Sequence, residues 1–80
     1  MIELRFHSEY YNGFSIDEAV KTYSNFATTD LSRDEGNFVV KITATQAAID
    51  KGIDERTIAL ELANYALGLT IERARGGVVR

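Results

Sequence analysis

The sequence has no cysteine, no proline and no tryptophan, and its only histidine is His7. Without cysteine there is no disulfide, no thiol nucleophile and no zinc-finger spacing. One histidine cannot form an H-x-x-x-H pair, so no metal is expected. No apolar run approaches the roughly 20 residues that span a bilayer, so no membrane partner is expected either. There is also no basic excess. Nine Lys+Arg against twelve Asp+Glu leave a net charge of -3. Phosphate contacts need surplus basic side chains, so no nucleic-acid partner is expected. Repeats, proline-rich linkers and low-complexity runs are all missing. The opening MIELRFHSEYY is not a secretory signal, because Glu3, Arg5, His7 and Glu9 break any apolar stretch. A cytoplasmic location is the expectation.

What is present is ordinary for a globular domain: 80 residues, 45% apolar and 26% charged. The length predicts one domain over 1–75 and a flexible tail over 76–80, opened by Gly76-Gly77. A core this small hides only about 60–65% of the unfolded surface. With neither disulfide nor metal to reinforce it, such a chain often gains stability by associating.

Ile2 to Tyr11 alternates: Ile2, Leu4, Phe6 and Tyr10 on one face, Glu3, Arg5, His7 and Glu9 on the other. That pattern predicts a half-buried strand, ended by Asn12-Gly13. Ser15-Ile16-Asp17-Glu18 fits a capping box, with Phe14 placed as a hydrophobic staple. Ile16, Ala19, Val20, Tyr23, Phe26 and Ala27 then recur at helical spacing, predicting a helix from about Ile16 to Ala27. Thr28–Arg33 and Phe38–Thr43 read as hairpin arms around Asp34-Glu35-Gly36-Asn37, with Gly36 left-handed. Thr45–Asp50 suits one helical turn stopped by Gly52. Asp54 resembles an N-cap for a long helix running to about Ala74.

The predicted fold class is a two-layer α+β domain, β-α-β-β-α. Its three-stranded sheet has the order 1-3-2, with two helices on one face. The apolar arm Phe38–Thr43 takes the centre, and the crossover from first to second strand is right-handed. Centring Thr28–Arg33 instead would bury the polar strand.

The long helix is apolar nearly all round. Stepping about 100° per residue groups Ile58, Leu62, Tyr65, Ala66 and Leu69 on one side. Leu60, Ala63, Leu67, Ile71 and Ala74 group nearly opposite. A helix lying on a sheet buries one stripe. The second stripe is therefore the candidate interface, with a second copy in a two-fold homodimer as the simplest partner. The alternative is internal: the first helix and the turn at Thr45–Asp50 cover it.

Chemistry-bearing constellations are weak. His7 has carboxylates at Glu3 and Glu9 on its own face but no evident cleft. Asp30, Asp34 and Glu35 lack the ligand order of a calcium loop. The hydroxyls at Thr22, Ser24, Thr28, Thr29 and Ser32 have no base at a recognisable spacing. No catalytic residue, cofactor or metal ligand is assigned.

The succession FSIDEAVKTYSNFATTDLSRDEGNFVVKITAT and then IALELANYALGLTIERA resembles the HxsD-like family. These are small bacterial accessory proteins of His-Xaa-Ser peptide maturation systems. The matching positions are Ile16, Tyr23 with Asn25-Phe26, the turn at Asp34–Asn37, and Glu72-Arg73. Relatives often continue further past the position of Arg73. The resemblance implies a non-enzymatic helper beside radical-SAM maturases. Cluster chemistry would belong to those partners, since this chain has no thiolate to hold iron–sulfur. The leading expectation is an adaptor that docks a partner protein or peptide, with strand addition at Ile2–Tyr11 or Thr28–Arg33 as one route. The alternatives are a small enzyme with a pocket near His7 or Tyr23, and a structural subunit of a larger complex.

Overall fold

The structure, a computed structural model, describes residues 1–74, with Ala74 described in its backbone only. The expected tail at 76–80 lies outside the described residues. The elements are β1 (Ile2–His7), α1 (Gly13–Thr22), β2 (Ala27–Asp34), β3 (Asn37–Ala44), α2 (Gln46–Asp50) and α3 (Glu55–Ala74).

The sheet order is β1-β3-β2, with both pairings antiparallel, as the apolar character of the third strand demands. Register sets Ile2, Leu4 and Phe6 opposite Ile42, Val40 and Phe38. These residues share the helix-covered face, where Phe6, Val40 and Ile42 are buried. The β2–β3 turn has Glu35 and Gly36 both at positive φ, 45° and 86°. Two such residues are what a type I′ hairpin needs, and only the glycine adopts that conformation without cost. Gly52, at φ 73°, ends the α2 turn.

Three local expectations are corrected. The first strand stops at His7 rather than Tyr11, because β3 begins at Asn37, the partner of His7. The chain then turns, with the N–H groups of Tyr10 and Tyr11 both donating to the His7 carbonyl, and Tyr10 points to solvent. The first helix spans Gly13–Thr22, not 16–27. Its N-cap is Asn12, whose Oδ1 accepts from the Ser15 N–H at 3.0 Å. Ser15 lies inside the first turn, fully buried, and its hydroxyl has no partner. The capping box does not form, and Phe14, the expected staple, is exposed under the Arg73 guanidinium at 4.1 Å. Gly13 explains the early start: a Cβ there would stand 3.2 Å from the Phe38 ring, so that ring packs directly against helix backbone. At the other end Ala27 belongs to β2, paired with Ala44. Phe26 stays in the connecting turn, its carbonyl accepting from the Thr45 N–H.

The other two helices both start at a side-chain cap, and Asp54 caps as its sequence signal predicts. Thr45 caps α2 through its hydroxyl, which accepts from the Ala48 N–H. Asp54 accepts from the Thr57 N–H at 2.8 Å, and that bond holds its carboxyl below the ordinary range. α3 runs antiparallel to α1, with Arg73 against Phe14 at one end and Tyr65 edge-on to Tyr23 at the other. Glu55 fixes its start, accepting from the Ala44 N–H at 2.9 Å and facing the Met1 amine at 2.6 Å.

Candidate functional site

α3 has two apolar rows with opposite fates. Ile58, Leu62 and Ala66 face the core and are essentially sealed, at 2%, 0% and 0% exposure. Half a turn away, Leu60, Leu67 and Ile71 are 57%, 42% and 47% exposed. Among the expected interface residues Ala63 is half-buried and packs against the core edge, and the Ala74 side chain lies outside the described residues. The internal alternative therefore fails at Leu60, Leu67 and Ile71, since neither α1 nor α2 covers them. Tyr65, grouped with the core row by its angle, is 39% exposed and touches Tyr23 instead.

The reason is geometric. α1 and the sheet lie on the same half of α3, with α1 alongside it and β1 and β3 beneath. A helix in that position spends about half its circumference on its own domain. The outward half carries three large aliphatic side chains that stay about half exposed.

The residues considered for chemistry do not converge. His7 ends β1, where its Nδ1 accepts from the Glu9 N–H at 3.2 Å and its ring lies beside Tyr10. Tyr23 is at the far end of α1, and burial, then the nearby Glu61 charge, raises its pKa above the ordinary tyrosine value. A phenol shifted that way is still less ionised at neutral pH, so less phenolate is present to act as a base. A shallow depression of about 290 Å³ is lined by Ile49, Gly52, Ile53 and Asp54 and includes neither residue. Among the described residues no three His, Asp or Glu side chains gather as metal ligands. Asp34, weighed for calcium, instead meets Arg5 at 3.3 Å. Arg5 also holds Glu3 at 2.8 Å, and these two carboxylates raise the Arg5 pKa. The reach from Arg5 to Asp34 crosses β3 on the sheet's helix-free face, where Val39 is only 4% exposed.

Two exposed aliphatic residues escaped the sequence reading: Leu31 and Ile49. Leu31 had no signal, being one aliphatic residue in a polar strand. It points to the helix side of the sheet, in register with Val40, yet no helix lies over it. No helix among the described residues is long and apolar enough to cross a membrane. Comparison with protein-family models, with curated proteins and with solved structures finds no match for this chain.

Proposed function

We propose that this chain is a non-enzymatic docking module that makes its main protein contact through the outward face of α3. The observation that carries this reading is the exposed row Leu60, Leu67 and Ile71 on a helix whose opposite row already fills the core. Exposed aliphatic side chains scattered singly need no explanation, but aligned on one rigid helix they mark an interaction surface. The scattered positions of His7 and Tyr23 favour docking over catalysis.

The resemblance to HxsD-like proteins gives the module a setting: a cytoplasmic accessory protein of a bacterial His-Xaa-Ser peptide maturation system. The peptide would add as a further strand at an edge of the sheet, β1 or β2. Both edges offer unpaired backbone groups, and β2 is the longer, with eight residues. The test is a titration of the isotope-labelled chain with a synthetic peptide of His-Xaa-Ser repeats. The expected result is amide shifts along one edge strand. Shifts along neither edge at millimolar peptide would remove the peptide-binding role.

A further inference from the structure

The outward face of α3 has a finer pattern than a stripe. Leu60, Asn64, Leu67 and Ile71 are all exposed and are spaced four, three and four residues apart. That alternation matches the a/d seam of a coiled coil across two heptads. It places Leu60 and Leu67 at d positions and Asn64 and Ile71 at a positions. Leucine at d with a β-branched residue at a is the combination that parallel two-stranded pairs prefer. A single asparagine at a fixes register and strand number, because in the correct pairing alone it meets another amide.

The charges agree. Arg56 falls at the g position before Leu60's heptad, and Glu61 at the next e, five residues on. In a parallel pair g and the following e of the two helices face each other, so Arg56 of each copy meets Glu61 of the other. Among the described residues neither side chain forms an ion pair within its own protomer. The next e position is Gly68, where a Cβ would meet nothing within 4 Å, so a neighbouring helix can come close there.

We infer that the partner at this face is a second copy of the chain, its α3 parallel to and in register with the first. This rests on the reading of that face as the contact surface, and it names the occupant. Asn64 meets its own counterpart across the two-fold axis, and Leu60, Leu67 and Ile71 each pack against themselves. The core row is untouched, so association requires no rearrangement of the protomer.

The full chain decides this by sedimentation velocity combined with cross-linking. The expected mass is twice 8.9 kDa at micromolar concentration. Leu67→Glu should weaken association by about 100-fold or more while leaving the helical circular dichroism unchanged. Glu61→Arg should weaken it several-fold, and adding Arg56→Glu should restore it, an outcome that misfolding cannot mimic. Because the chain has no cysteine, Leu60→Cys and Leu67→Cys are clean single probes. In a parallel pair both cross-link on oxidation. The two positions lie about 10 Å apart along the helix, so an antiparallel pair brings at most one into range. A monomer at high micromolar concentration, or a dimer in which only one or neither probe cross-links, overturns the inference. A monomer whose edge strands still respond to the peptide would leave the peptide-binding role standing. A cross-linked parallel dimer whose edges ignore the peptide would do the reverse.

Discussion

The inward and outward rows of α3 are built from the same kinds of residue, yet one is sealed and the other lies in solvent. Leu62 and Leu60 differ by two positions and by the whole range of exposure, 0% against 57%. Composition cannot separate them. What separates them is where α1 and the sheet happen to stand, and that is a property of the fold. Hydrophobicity in a short helix therefore says that a surface will be covered, without saying by what.

Mutation of paired positions puts that contrast to the test, and the largest effect belongs to the core row. Leu62→Ala should destabilise the protomer by about 2–5 kcal/mol through lost transfer energy and a residual cavity. Leu60→Ala should change protomer stability by no more than about 0.5 kcal/mol. Denaturant unfolding at concentrations too low for association measures both, and equal costs would erase the distinction between the rows. A smaller effect is expected at Gly68 on the outward side. Gly68→Ala should stabilise the protomer by about 1 kcal/mol, since helix propensity improves and a Cβ meets open space.

The same inside–outside logic applies at the start of α1. Asn12→Ala should cost about 1 kcal/mol, the usual value of a lost cap. Ser15→Ala should be neutral or stabilise by up to about 1 kcal/mol, because the alanine carries no unpartnered buried hydroxyl. The reverse ranking in thermal melts would reinstate Ser15 as the cap. The smallest effect concerns acid. Glu55 is held below its ordinary pKa by the Met1 amine and then by the Ala44 N–H, and Asp54 by the Thr57 N–H. A carboxylate depressed in the folded state contributes stability above its unfolded pKa, about 4. That contribution fades as pH falls through the folded value. Stability measured from pH 6 to pH 2 should therefore decline on the acid side, and Glu55→Gln should flatten the decline.

Period and punctuation carried most of the fold. Clean alternation marked the first strand though it overran its end at His7, Gly36 and Gly52 marked two reversals, and the apolar run Phe38–Thr43 placed the central strand. Failures occurred where two local signals competed. Both Asn12 and Ser15 can cap a helix, and the decision fell to Phe38, which packs on Gly13 from a distant strand. Phe26 and Ala27 continued the helical spacing, but pairing with Ala44 drew Ala27 into the sheet. For the candidate site, the two apolar sides of α3 were legible, whereas the boundary between covered and bare was not. Ala63 and Tyr65 fell on the unexpected sides because the exact seat of α1 is set by tertiary packing.

The sheet is one strand broader than its helical roof. Beyond Ala27, β2 projects like an eave, with Thr29, Leu31 and Arg33 on its helix-side face and the Arg33 guanidinium 4.8 Å from the Phe38 ring. Leu31 stays 40% exposed on that face, and the aspartates at 30 and 34 stand on the opposite one. An incoming strand that laid an aliphatic residue next to Leu31 would gain a dry contact as well as backbone bonds. If a strand adds at this border, as proposed, the bare Leu31 favours an aliphatic neighbour beside it.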